Sequence, residues 1–334
     1  MRRITLTLAL ILVVGALSAA PAVARSMTAA QGPPARTLQA DFNNDGADDL
    51  AVGVPGEDVG GVLDAGAVNV LYGGTAGGLT GTGGQLFTQV GSAPEPFDGF
   101  GDSLATGDFN HDGFADLAVG APSEDAGSTP DAGAVSVLYG SAGGLTRTGG
   151  QIFTQVGSAP EPFDGFGDSL ATGDFNHDGF ADLAAGAPFE AAGSTPEAGA
   201  VSVLYGSAAK LTAAGGQIFT QVGSAAEPGD LFGESLAAGD FNHDGFADLA
   251  AGAPTEDAFG TFDAGAVSVL YGSAAKLTTA GGQIFTQDSP GVPDVAEQDD
   301  FFGDALATGD QGPSPAPAAQ AAPGSGTQTT PTRR

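Results

Sequence analysis

The chain repeats itself every 66 or 67 residues, and that period limits its folds more than any other feature. Asp41-Phe42-Asn43-Asn44-Asp45-Gly46 recurs as Asp108-Phe109-Asn110-His111-Asp112-Gly113, and again from Asp174 and from Asp240. Residues Gln85 to Ala118 match Gln151 to Ala184 everywhere except Leu86 against Ile152. Copies this long are supersecondary modules that bury an apolar face only by stacking on their neighbours.

Each copy reads as four short strands. In the second copy Ser103-Leu104-Ala105-Thr106 runs into the Asp/Asn/Gly turn, and Asp116-Leu117-Ala118-Val119 leaves it. Ala134 to Tyr139 is a third strand, rich in β-branched residues, and Ile152-Phe153-Thr154-Gln155 a fourth. With 56 Gly and 21 Pro in 334 residues, tight turns are plentiful, and no capped stretch carries helical periodicity. The expected fold is all-β: a β-propeller of four four-stranded antiparallel blades plus a partial fifth, as an incomplete or open ring. A parallel β-helix has coils much shorter than this period. The units fall at about 38–99, 100–165, 166–231 and 232–301, with a partial unit at 302–310.

The flanks differ from the repeats. Met1-Arg2-Arg3, the apolar run Ile4 to Leu17 and Ala22-Val23-Ala24 form a secretory leader over 1–24, followed by a linker at 25–37. The apolar run is 14 residues, short of a bilayer-spanning helix. Residues 311–334 are Pro/Ala/Ser/Thr material without a strand signal, expected to be disordered. The predicted location is secreted, with no membrane span.

Forty acidic against nine basic residues give a formal charge of −31, which excludes a phosphate-tracking nucleic-acid binder. No Cys is present, so disulfides, thiolate metal sites and Cys nucleophiles are excluded. The three His (His111, His177, His243) all occupy position 4 of the repeated turn, expected in solvent, and leave no base for a Ser-His-Asp triad elsewhere.

The turn Asp-x-Asn-x-Asp-Gly-x-x-Asp sets oxygen donors at positions 1, 3, 5 and 9, with a backbone carbonyl at position 7. Calcium takes six to eight such oxygens, and Gly at position 6 permits the reversal. The candidate ligands are Asp41, Asn43, Asp45, Ala47 and Asp49 in the first copy. The second has Asp108, Asn110, Asp112, Phe114 and Asp116; the third Asp174, Asn176, Asp178, Phe180 and Asp182. The fourth has Asp240, Asn242, Asp244, Phe246 and Asp248, so up to four Ca2+ ions are expected, each stapling a strand 1–2 hairpin. Position 12 is Val52, Val119, Ala185 or Ala251, so these are not EF-hands, which need Glu there. The hard donors argue against zinc or copper. Magnesium is the weaker metal alternative, and a metal-free hairpin with Asx turns is the other reading.

Phe100-Gly101 before the first strand and Gly120-Ala121-Pro122 after the second flank that turn. Phe166-Gly167 with Gly186-Ala187-Pro188, and Phe232-Gly233 with Gly252-Ala253-Pro254, repeat the arrangement. It resembles the FG-GAP repeat of integrin α-subunit propellers over roughly Leu38 to Asp310. The first unit departs from it, lacking the Phe-Gly lead and reading Gly53-Val54-Pro55. The resemblance implies a propeller with calcium in the strand 1–2 loops and extracellular recognition or cell adhesion. Such rings usually have seven blades, and this chain holds about four units. A truncated product, a small ring and an arc completed by another chain are the three options, and self-association through unclosed blades is a further expectation.

Antiparallel order puts the metal turns on one side and loops 2–3 and 4–1 on the other. The resemblance places an extracellular protein or glycan ligand on that second side, which carries Phe97, Phe163 and many acids. Glu57, Glu124, Glu190 and Glu256 recur near Asp64, Asp131, Glu197 and Asp263, a carboxylate pairing with the makings of hydrolysis. Four copies of one environment suit structure better than catalysis, which needs separated pKa values. A hydrolase or hydrolase accessory acting on glycans or phosphodiesters is therefore the alternative, and a structural repeat without ligand the third reading.

Overall fold

The computed structural model describes residues 40–308 apart from 75, 76 and 259. The expected leader, the linker and the tail lie outside the described residues. Fifteen strands and no helix occur among those described, and consequently no helix long and apolar enough to cross a membrane.

Blade 1 contains β1 (Leu50–Val54), β2 (Ala67–Tyr72) and β3 (Thr80–Phe87). Blade 2 contains β4 (Leu104–Gly107), β5 (Asp116–Ala121), β6 (Ala134–Tyr139) and β7 (Thr146–Phe153). Blade 3 contains β8 (Leu170–Gly173), β9 (Asp182–Ala187), β10 (Ala200–Tyr205) and β11 (Thr212–Phe219). Blade 4 contains β12 (Leu236–Gly239), β13 (Asp248–Ala253), β14 (Ala266–Tyr271) and β15 (Thr278–Phe285). Each blade is an antiparallel meander in chain order.

Three details differ from the sequence expectation. Blade 1 shows three strands, because its first strand would fall on 37–40, of which only Ala40 is described. There the Asp49 amide donates to the Ala40 carbonyl at 2.7 Å, at the place where Gly107 pairs with Asp116 in blade 2. The fourth strand starts six residues earlier than Ile152 and ends at Phe153. Thr146 pairs with Tyr139 after a register shift, and Gly149-Gly150 within the strand hides its alternation. The partial fifth unit forms no strand among its described residues. With no second strand beside it, its amides have no ladder to join, and Phe302 and Leu306 instead pack on blade 4.

The middle strands of blades 2 and 3 are buried on both faces, which is why they read as continuous apolar runs instead of alternating ones. Leu117 and Val119 face blade 1, packing with Phe42, Val68 and Val70. Ala118 faces the other way, with Val135 and Val137 against Leu183 and Leu204 of blade 3. Small Ala residues on one face admit the Leu and Val of the next, so sheets mesh closely. Leu50 and Val52, the blade 1 counterparts of Leu117 and Val119, are exposed.

The Phe-Gly and Gly-Ala-Pro segments meet across the blade junctions. Phe166 is fully buried, and its amide donates to the Ala132 carbonyl of blade 2 at 3.0 Å. Gly167 follows with φ 96°, and its carbonyl passes so close to Gly120 that a Cβ there would lie 2.1 Å from the oxygen. Gly186 meets Gly233, and Gly252 meets Gly303, in the same way, each at 2.0 Å. Ser103, Ser169 and Ser235 hydroxyls donate to these same three carbonyls at 2.5 Å. The motif is therefore a backbone-on-backbone crossing that excludes any side chain. Gly186→Ala is expected to destabilise the chain by about 3 kcal/mol, by overpacking against a carbonyl that has nowhere to move. Gly81→Ala, where a Cβ meets nothing within 4 Å, is the control, and chemical denaturation of both checks the difference.

Candidate functional site

The repeated turns adopt one conformation in all four blades. The position-4 residues Asn44, His111, His177 and His243 take φ of 54°, 55°, 56° and 60°, a left-handed bend that Asn and His tolerate better than β-branched residues. Gly46 and its counterparts follow, also at positive φ. Asp108 accepts from the Asp112 amide at 3.1 Å and from the Gly113 amide at 2.9 Å. Asn110 accepts from the Asp112 amide, and Asp112 from the Phe114 amide, at 3.0 and 3.1 Å. The same bonds recur from Asp41, Asp174 and Asp240.

Position 9 does different work. Asp116 is fully buried, with one carboxylate oxygen on the Phe109 amide at 3.0 Å and the other on the Gly140 amide at 2.8 Å. It thus ties the turn to the end of β6, as Asp49, Asp182 and Asp248 do in their blades. Positions 1, 3 and 5 gather at the turn's own amides, whereas position 9 sits beneath as scaffold. Among the described residues no three acidic or His side chains come together as a preformed metal cage.

The first three turns are also docked on the next blade. The Ala115 amide donates to the Asp41 carbonyl at 3.0 Å, and the Ser141 amide to the Phe42 carbonyl at 3.1 Å. Phe42, Phe109 and Phe175 at position 2 are fully buried in the following blade's core, whereas Phe241, with no described blade beyond it, is 39% exposed. His111 and His177 are exposed, as expected, but each meets the position-7 Phe of the next turn edge-on at 5.7 and 5.5 Å.

The donor set fits a hard divalent cation: carboxylate, amide and carbonyl oxygens, with no nitrogen or sulfur. The negative charge has little compensation from the protein. Residues 40–308 hold 39 acidic and three basic side chains, and those three are engaged elsewhere. Arg147 lies over Phe87, Lys210 over Tyr139 and Lys276 over Tyr205. Burial pushes Asp116 and Asp182 up to about 7, against the backbone bonds that lower them, and the neighbouring turn carboxylates raise them further.

On the opposite face the structure re-pairs the recurring carboxylates. Glu124 meets Asp98, not Asp131, and Glu190 and Glu256 meet Asp164 and Asp230. Sequence spacing missed these pairs because Asp98 belongs to the connector leaving blade 1 and Glu124 to blade 2; they meet only when the blades stack. Burial pushes Asp98, Asp164 and Asp230 up to about 7, and the adjacent Glu adds to it. Around them Phe97 and Phe163 stand more than 60% exposed, held at φ of 72° and 69°, a conformation costly for an aromatic residue.

The FG-GAP repeat family matches at residues 35–71, 100–138, 166–204 and 232–270. Rat phosphatidylinositol-glycan-specific phospholipase D is 37% identical over 169 residues, 50% of this chain and 20% of that protein. Drosophila melanogaster integrin alpha-PS5 is 38% identical over 165 residues, 48% of this chain and 15% of that one. Xenopus laevis integrin alpha-5 is 33% identical over 221 residues, 64% of this chain and 19% of that one. The matched region is thus a fifth or less of each relative's length.

All the carboxylates raised to about 7 bind protons in the folded chain at pH values where the unfolded chain, titrating near 4, has released them. Stability with calcium chelated is therefore expected to fall as pH rises from about 4 to about 7. A melting temperature that climbs over that window in chelator contradicts this electrostatic account. Four matched repeats, with the Gly-x-Pro segment of each crossing the Phe-Gly segment of the unit that follows, make this chain an FG-GAP repeat protein of the integrin α-like, β-propeller type.

Proposed function

We propose that the chain is a secreted, calcium-stabilised recognition or adhesion module. Each ion would be held by positions 1, 3 and 5 of a turn, the position-7 carbonyl and the position-9 carboxylate: for blade 2, Asp108, Asn110, Asp112, Phe114 and Asp116. The observation that carries this reading is the identical all-oxygen turn, four times over, in a region with 39 acidic and three basic residues. A bound ion supplies charge compensation there, and in place of disulfides it supplies a cross-link. Because the first three turns are hydrogen-bonded to the following blade, their ions would hold a junction as well as a hairpin. Export rests on the leader at 1–24.

The ligand face in this reading is the side opposite the turns. Strained, exposed Phe97 and Phe163 beside buried carboxyl pairs support that placement, since strain persists where function needs it. A protein or glycan ligand is the expected class. The likeness to a phospholipase D over half the chain favours a second reading, a non-catalytic accessory to a hydrolase.

Asp112→Ala is expected to remove one bound calcium and about 2–3 kcal/mol of stability at calcium near 100 times Kd, with no effect in chelator beyond a lost turn bond. Titration calorimetry of the stripped chain showing no heat of calcium uptake overturns the metal reading. Calcium-dependent capture on glycan and matrix-protein arrays, weakened by Phe163→Ala, is the outcome expected of a recognition module. Sustained turnover of a phosphodiester or glycan substrate that Glu124→Gln abolishes would replace it with the hydrolase.

A further inference from the structure

The three described blade junctions each bury a polar cluster that the calcium turns do not use. At the first, Gln89, Ser92 and Asp98 come from the connector leaving β3, and Glu124 from the turn after β5 of the next blade. Asp98 and Glu124 are 1% and 4% exposed, Gln89 7%. The two carboxyls lie within hydrogen-bonding reach of each other, Ser92 lies beside Glu124, and the Gln89 amide nitrogen donates to Glu124. The third junction repeats this, with the Gln221 amide donating to Glu256 at 2.8 Å beside Asp230.

Each cluster contains buried polar atoms without a partner among the described residues. Gln89 Oε1 and Ser92 Oγ are unpartnered at the first junction, and Gln221 Oε1 and Ser224 Oγ at the third. At the second, both Gln155 side-chain atoms, Ser158 Oγ and Glu190 Oε2 are unpartnered. Buried oxygen atoms left unmatched are rare because they forfeit their hydration. At all three junctions Gln and Ser atoms are left unmatched beside two carboxyls, so the clusters lack a shared component. Water would satisfy the amide and hydroxyl but not offset two adjacent carboxylates, and the region's three basic side chains are committed to Phe87, Tyr139 and Tyr205.

We propose that each junction is a second cation site, in which the Asp and Glu carboxylates, the Gln amide oxygen and the Ser hydroxyl bind a hard divalent ion of the calcium class. Two carboxylates balance its charge, and all the donors are oxygen. At two of the three junctions the Asp faces open space: Asp164 lines a cavity of about 650 Å³ and Asp230 one of about 570 Å³. The fourth blade gives an internal comparison. Gln287 and Asp300 hold the places of Gln89 and Asp98, and Gln287 Oε1 is likewise buried and unpartnered, but no described blade brings a Glu to them and Asp300 is exposed, so the carboxyl pair that would hold an ion is not assembled there. The site is assembled by stacking, so its ion clamps one blade to the next on the face away from the turns. It shares no residue with the turns and stands or falls separately from them.

The test counts calcium bound to the full, chelator-stripped chain by equilibrium dialysis at roughly 2 mM calcium, a concentration at which extracellular calcium modules load. Glu190→Gln keeps the shape and removes one charge, and is expected to bind one ion fewer than the parent. Combining it with Glu124→Gln and Glu256→Gln is expected to lose three. Parent and triple variant binding equal numbers overturns the proposal and leaves a shared proton or water in the junctions. Loss of three ions with none left behind supports the junction sites while refuting the turns. If the triple variant fails to fold, Gln155→Leu, which removes only a neutral donor, is expected to weaken one site at least tenfold, and unchanged binding again overturns the proposal.

Discussion

The structure depends on a contact between two glycines. Where the Gly167 carbonyl crosses Gly120, and at its equivalents, two blades approach to a separation that leaves no room for a Cβ. That approach sets the spacing at which Ala and Val faces mesh, at which Phe166 reaches its slot, and at which Asp98 meets Glu124. A hydrophobic interface alone tolerates sliding, because apolar contact has little direction. The crossing gives each junction one register, including Gly53 against Gly101 between blades 1 and 2, and after blades 2, 3 and 4 the hydroxyl bonds of Ser103, Ser169 and Ser235 to the crossing carbonyl reinforce it.

The second constraint is electrostatic. Carboxylates are concentrated at both ends of the blade stack, in the turns on one side and in the junction pairs on the other. The position-9 and junction Asp carboxyls are buried, the position-5 Asp of each turn is exposed, and among the described residues no cationic side chain balances either set. Their burial costs more than their hydrogen bonds to backbone amides return, which is why Asp116 and Asp182 are held so far above the ordinary carboxylate range. In the metal reading proposed above, cations from solution would supply the balance that the three basic side chains of residues 40–308 do not.

Stacking also divides residues that are identical in sequence. Phe109 and Phe241 occupy the same turn position, yet one is buried in the next blade and the other faces solvent. Ser136, Ser202 and Ser268 are buried and donate to the Val90, Val156 and Val222 carbonyls in the connectors leaving the preceding blades. Blade 1 has Asn69 at that position, and it is exposed. Environment along this chain is a property of position in the array.

The all-β class, the blade repeat, the turn donors and the Phe-Gly and Gly-Ala-Pro segments were legible in the sequence, because they are local patterns copied at a fixed period. The first two strands of blade 2 and the span Ala134 to Tyr139 came directly from their residue types, whereas the start of the fourth strand did not, since Gly149-Gly150 erases its alternation. Glu124 was visible as a recurring acid but was matched to Asp131, its neighbour along the chain. Its true partner, Asp98, lies in the preceding unit. Sequence determined what each module is, because hydrogen-bonded turns and short strands are set by residues within reach of one another. Tertiary structure alone decided which side chains meet between modules, because that depends on a backbone crossing between residues nearly fifty positions apart.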